Sequence, residues 1–205
     1  MTLTDGRFHA GQYFINMRNK KLLALVEGAI IVAAAIGLSY LKIPIGLEFG
    51  GFGGSIDLVM IPLIIYAIRR GLGWGLGAGL VFGTLKFFMA GGVAVNWQSM
   101  LLDYSLAYMM VGLAGIVPGA KKSVPGSAAA ALIGCLGRFV IHFISGITIY
   151  AEYMPEEFFN MTMTNTWFYS LLYNGSYMLP NTILAVIVCA LITKPINTYM
   201  DPDRI

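Results

Sequence analysis

Residues 137–181 read GRFVIHFISGITIYAEYMPEEFFNMTMTNTWFYSLLYNGSYMLPN, and their reading decides the fold. The segment joins the outer half of one apolar helix to the outer half of the next through a short acidic loop. Arg138, His142 and Ser145 lie on the first half, and Tyr169, Tyr173, Asn174 and Tyr177 on the second. Polar groups at membrane depth are costly unless they face the bundle interior or a wet cavity. Their density here points to a pocket for a small organic molecule.

The totals agree with a membrane setting. Of 205 residues, 58% are hydrophobic and 11% charged, and the mean hydropathy is +0.75. Soluble domains carry about 25% charged residues. The apolar runs are too long for core strands, so the chain reads as all-α, an integral membrane bundle. The net charge of +3 is spread over short turns rather than one patch, which excludes a nucleic-acid partner and leaves lipid as the surrounding medium. Cys135 and Cys189 fall in apolar runs and read as small buried hydrophobes, not as a disulfide or metal site. No cleavable signal peptide is expected, because the first apolar run follows a polar segment and is long enough to span.

Six crossings are expected. Residues 1–21 are polar and form either an interfacial helix or a disordered segment. Residues 22–41 make the first span, with Glu27 one turn in and small residues at Ala29 and Ala33; by spacing alone, this small face packs within the bundle. A glycine-rich loop, 42–55, leads to a short second span, 56–68, where Asp57 opens the helix and Pro62 is expected to kink it. Residues 71–89 repeat glycine at Gly75, Gly79 and Gly83, a pattern for close helix contact, and Lys86 is expected to snorkel outward. The fourth span starts at Trp97 and ends near Pro118, the fifth covers 127–150, and the sixth, with Pro180 in its middle, covers 166–192. The organisation is thus an N-terminal segment, 1–21, a transmembrane domain, 22–193, and a tail, 194–205.

The positive-inside rule orients these spans. The N-terminal segment, the Arg69–Arg70 turn, the Lys121–Lys122 turn and the tail hold ten of the thirteen Lys and Arg residues. Both termini are therefore expected in the cytoplasm, with the acidic loop carrying Glu152, Glu156 and Glu157 outside. Asp57, Asp103, Arg138, His142, Tyr169 and Asn174 then share one layer near the outer face.

Each member of that layer has a bland and a functional reading. Asp103 either binds a cationic or hydrogen-bond-donating ligand or forms an ion pair with Arg138 or Lys86. His142 lies four residues after Arg138, on the same face. Tyr169, Tyr173 and Tyr177 form an i, i+4, i+8 stripe, which is often packing, but the amide of Asn174 beside it must be satisfied. Catalysis is not supported: Ser145, His142 and Asp103 come without a strained turn or oxyanion device. His9 and His142 do not suggest a metal site. No phosphate-binding loop is present, so any ATP must be hydrolysed by another chain.

With these pieces assembled, the chain resembles the thiamine-specific substrate-binding (S) components of energy-coupling factor (ECF) vitamin transporters. The resemblance runs from about Lys21 to Lys194. It rests on EGAIIVAA near Glu27, IDLVMIPLIIYAIRRG at Asp57, LLDYSLAYMMVGLAG around Asp103, RFVIHFISGITIY around His142 and WFYSLLYNGSYMLP around Asn174. It implies a six-helix protein of the cell membrane that captures thiamine from outside. The implied partners are a transmembrane coupling protein and two cytoplasmic ATPases, and no cofactor is implied. Carried over residue by residue, the implied ligand positions are Asp103, Tyr104, His142, Gly146, Tyr150, Tyr169 and Asn174, and the coupling-protein contacts are Ala29 and Ala33. A loop Trp of some relatives is missing here; the nearest aromatic is Phe52. Thiamine's fixed positive charge and hydrogen-bonding aminopyrimidine would suit a carboxylate, aromatic faces and an amide. An S component for another vitamin, or a membrane-embedded enzyme using His142, are the alternative readings.

Overall fold

The computed structural model describes residues 5–45, 53–89 and 92–196; Phe52 and the tail beyond Ile196 lie outside the described residues. Six helices build the described chain: α1 (Asp5–Leu38), α2 (Met60–Arg70), α3 (Leu72–Met89), α4 (Trp97–Ile116), α5 (Val124–Thr148) and α6 (Thr166–Ile196). All but α2 contain an apolar stretch long enough to cross a membrane. The polar segment before residue 22 is helical from Asp5 and continuous with the first span.

α2 has 11 residues, about 16 Å of rise, and a β-hairpin precedes it. Strands β1 (Lys42–Pro44) and β2 (Ser55–Asp57) pair antiparallel, with Lys42 opposite Asp57. Pro62 does not kink α2. It lies in the first turn, where its missing N–H would have had no helical partner. Asp57 serves that turn instead, accepting the Val59 N–H at 3.2 Å. At the other end of α2, Glu27 bridges Arg69 (3.2 Å) and Arg70 (2.6 Å), which satisfies the one carboxylate of the first span.

A second hairpin follows α5. Strands β3 (Glu157–Phe158) and β4 (Met161–Thr162) are joined by Phe159 and Asn160, both left-handed at φ 52° and 57°. Two-residue hairpin turns need that geometry, but a sequence without glycine there gives little sign of it. Both hairpins meet α6 at Tyr173. Its ring packs edge-on against Phe158 at 5.8 Å, and its hydroxyl donates to the Gly53 carbonyl. Asn181 fixes the first hairpin further, accepting the Asp57 N–H (2.9 Å) and donating to the Ser55 carbonyl (2.7 Å) as a neighbouring strand would.

The repeated glycines of α3 face backbone. A Cβ at Gly79 would stand 2.2 Å from the Tyr108 carbonyl oxygen, and one at Gly83 2.1 Å from that of Tyr104. α3 and α4 therefore touch main chain to main chain, and Gly112 answers from α4 against Leu76. Gly77 on the same helix has nothing within 4 Å of its Cβ position. Unlike that glycine face, Ala29 and Ala33 are exposed rather than packed inside the bundle. They line an apolar groove of about 620 Å³ between α1 and α3.

These contacts predict a contrast between neighbouring glycines. Gly83→Ala is expected to cost about 1–3 kcal/mol through overpacking, seen as a lower thermal unfolding midpoint in detergent. Gly77→Ala is expected to be neutral or slightly stabilising, since alanine is the better helix former. Equal midpoints for both variants would contradict the main-chain contact.

Candidate functional site

Inside the hairpin end of the bundle lies a cavity of about 170 Å³, roughly ten times the room one water requires. Its walls include Asp103, Tyr104, His142, Gly146, Tyr150, Tyr169 and Asn174, so the ligand positions expected from the sequence converge on one space. Tyr108, Arg138 and Lys86 border it as well.

Asp103 and Tyr104 sit on a π-helical interval, Leu101–Leu106, within α4. The Asp103 carboxylate accepts the Ser145 hydroxyl at 2.9 Å and meets His142 Nδ1 at 3.1 Å. It does not pair with Arg138 or Lys86. Lys86 does not snorkel either: it is buried, donating to Asp57 Oδ2 at 3.4 Å and to the Tyr108 hydroxyl at 2.5 Å. Arg138 donates through Nη2 to the same hydroxyl (2.9 Å) and through Nε to His142 Nε2 (3.2 Å), and its guanidinium lies 4.1 Å over the Tyr108 ring. The physical reason is competition. Asp57 at the head of α2 is the fully buried carboxylate and takes the lysine, while Tyr108 and His142 engage the arginine.

The rest of the wall is aromatic. Tyr169, Tyr173 and Tyr177 line α6 with ring centroids 5.6 and 5.9 Å apart, and Tyr177 stands edge-on to His142 at 6.0 Å. Phe158 from the second hairpin buries itself against Tyr169 at 5.6 Å and closes the hairpin end of that stripe. Tyr104 ties the α3–α4 loop down, its hydroxyl accepting the Val93 N–H (2.7 Å) and donating to the Val93 carbonyl (3.2 Å). Burial pushes the Tyr150 phenol up to about 12, with hydrogen bonding to Ser99 acting the other way, so it stays neutral in the physiological range.

Asn174 holds α5 and α6 together. Its Nδ2 donates to the carbonyls of His142 (3.3 Å) and Ser170 (3.0 Å), and its Oδ1 accepts the Tyr177 hydroxyl at 2.7 Å. Gly146 allows the close approach, since a Cβ there would lie 2.2 Å from Ser170 Oγ. Sequence reasoning put Asp57 in this layer without naming it as the partner of Lys86, and it did not foresee Tyr108, Phe158 or Asn181 as parts of this frame. For Asp57 and Tyr108 the available signal was simple: a buried cation at Lys86 and another at Arg138 each require partners.

Membrane-length helices around a partly open cavity with a carboxylate and aromatic walls have the architecture of a membrane transporter with room for a small solute. Comparison with known proteins narrows this. The profile of the thiamine transporter protein family matches residues 25–200, and the chain belongs to that family. It is 32% identical over 184 residues to the thiamine transporter ThiT of Lacticaseibacillus paracasei, covering 83% of this chain and 87% of the relative. It is 30% identical over 202 residues to the ThiT of Bacillus subtilis strain 168, covering 91% and 98%. A solved structure of ThiT from Listeria monocytogenes superposes with a TM-score of 0.76 at 25% identity, covering 89% of this chain and all of that one. The family is one of transporters rather than enzymes, and the chain is a multi-pass protein of the plasma membrane.

The floor of the cavity predicts an unequal pair of variants. Lys86→Met leaves the buried Asp57 without its cation and is expected to cost about 3–5 kcal/mol of stability. Combining it with Asp57→Asn, which keeps an acceptor for the Val59 N–H, is expected to recover at least half of that loss. A double-mutant cycle on thermal or denaturant unfolding measures the coupling. Additive losses would show that the pair is not what supports the floor.

Proposed function

We propose that this chain is the substrate-binding component of an ECF transporter. In this reading it captures thiamine at the outer face and hands it on to a complex driven by separate ATPases. The observation that carries the reading is the state of Asp103. Its carboxylate borders an aromatic cavity, and the two nearby cations, Lys86 and Arg138, are engaged by other partners. A half-buried anion open to a cavity complements a solute with a permanent positive charge, and aromatic faces add cation–π attraction. Thiamine combines that charge with a flat hydrogen-bonding ring.

The residues divide the work accordingly. Asp103 selects the charge, while Tyr150 and His142 flank the rings. Tyr169 presents a hydroxyl without a hydrogen bond to the described residues. Asn174 offers the second lone pair of Oδ1, the first being used by Tyr177. Tyr104 and Gly146 shape the wall. With both termini cytoplasmic, as the distribution of Lys and Arg favours, the two hairpins form the external mouth. The exposed small residues Ala29 and Ala33, set in the apolar groove between α1 and α3, suit a membrane-embedded coupling protein.

Titration of the purified protein by its intrinsic Trp and Tyr fluorescence tests the site. Asp103→Asn keeps the shape and removes the charge. It is expected to weaken thiamine roughly tenfold or more, the equivalent of a lost charge-assisted contact of about 1.5–3 kcal/mol, and to weaken an uncharged analogue of similar size much less. Equal losses would assign Asp103 a structural role.

The docking face is tested separately. Replacing Ala29 and Ala33 together by Leu is expected to abolish thiamine uptake by cells while leaving thiamine binding by the purified protein unchanged. Loss of binding with uptake machinery still assembled would remove the face from the interface.

A further inference from the structure

Resting on the reading of Asp103 as the charge-selecting group, a second question is what keeps that charge available. His142 touches the carboxylate, and a protonated imidazole there would neutralise it and repel a cationic ligand. The hydrogen bonds around the ring speak to this directly. Arg138 Nε–H donates to His142 Nε2 at 3.2 Å. A guanidinium is always a donor, never an acceptor, so Nε2 must present a lone pair. The one ring proton then resides on Nδ1, which stands 3.1 Å from Asp103 Oδ1 and donates to it.

We propose that Arg138 is a positioning residue that fixes His142 as the neutral Nδ1–H tautomer, so that the imidazole orients Asp103 without cancelling its charge. The arginine can hold this role because it is itself held. Its Nη2 is bonded to the Tyr108 hydroxyl, its plane is stacked on the Tyr108 ring, and its side chain is buried beneath the cavity. Histidine and arginine lie one helical turn apart on α5, which sets the spacing between Nε and Nε2. The other groups facing the imidazole are Asp103 from α4 and Tyr177 from α6, with Lys86 of α3 farther off. Neither Tyr177 nor Lys86 bonds to Nε2 among the described hydrogen bonds, so Arg138 alone sets that nitrogen's state. The arrangement excludes a proton from the side of the ring opposite the carboxylate. Arg138 thereby acts on specificity through His142.

The chain has two histidines, so His9→Gln leaves His142 as the sole imidazole. Nitrogen-15 NMR of this variant of the 205-residue chain, labelled at histidine, reads the tautomer directly in the absence of ligand. The expected spectrum shows a protonated Nδ1 and a bare Nε2 unchanged from about pH 8 to about pH 5.5, a range in which a free histidine titrates. A proton on Nε2 anywhere in that range would overturn the proposal. Arg138→Met removes the donor. In that variant Nε2 is expected to take up a proton as the pH falls, and thiamine affinity is expected to drop about tenfold across the range while staying flat in the unaltered protein. A flat profile in Arg138→Met would also overturn the proposal. If that variant does not fold, the NMR measurement decides alone. A bare Nε2 in a protein that binds no thiamine at any pH would instead refute the transport reading and leave the tautomer assignment standing.

Discussion

One buried carboxylate, one half-buried carboxylate and two buried cations meet around the cavity, and the bundle depends on how they are divided. Asp57 takes Lys86, and Arg138 takes Tyr108 and His142, with Tyr108 receiving both cations on one hydroxyl. Each helix from α2 to α5 contributes to this layer or is bonded by it. Breaking any single link leaves a charge at membrane depth without compensation, which costs far more than the link itself contributes when made. The result is a rigid floor with a single anionic group, Asp103, turned toward the cavity. Asn174 and Gly146 then bring α6 close enough to place its tyrosine stripe over that floor.

The close packing that positions the floor is main chain against main chain. Gly79 and Gly83 of α3 bring the carbonyls of Tyr108 and Tyr104 within reach, which sets the depth at which Lys86, three residues beyond Gly83, meets the Tyr108 hydroxyl. In lipid there is no gain from burying apolar surface between helices, so such contacts and the interhelical hydrogen bonds supply the cohesion. The site and the packing are in this sense one construction, shared between α3 and α4.

Much of this was legible in the sequence. The helix count followed from apolar length, the glycine repeat named a packing face, and the cluster of polar groups on the last two helices pointed to the cavity. What could not be read were the pairings, because hydropathy and spacing locate a buried charge without naming its partner. Asp103 was thus read either as a ligand-binding carboxylate or as the partner of Arg138 or Lys86, although Asp57 at the head of α2 had the stronger need for a cation. Pro62 misled because a helix boundary two or three residues away turns a kink into an ordinary first-turn proline. Phe159 and Asn160 concealed a hairpin, since their left-handed geometry is imposed by the strands and not announced by glycine. Ala29 and Ala33 read as internal from spacing alone, yet the same small residues serve equally on an exterior face.

The π turn across Leu101–Leu106 has a consequence for how this helix tolerates change. A π turn is an α-helix carrying one additional residue in its ladder. Upstream, α4 is registered by the Asn96 cap on Ser99; downstream, it is registered by the α3 glycines. The two halves thus keep separate registers, and the surplus residue between them absorbs the mismatch. Asp103 lies in that slack, and Tyr104, whose carbonyl packs against Gly83, is where the glycine-held register begins. A change upstream of Leu101 can therefore alter the cavity rim while the glycine-packed half downstream stays in place.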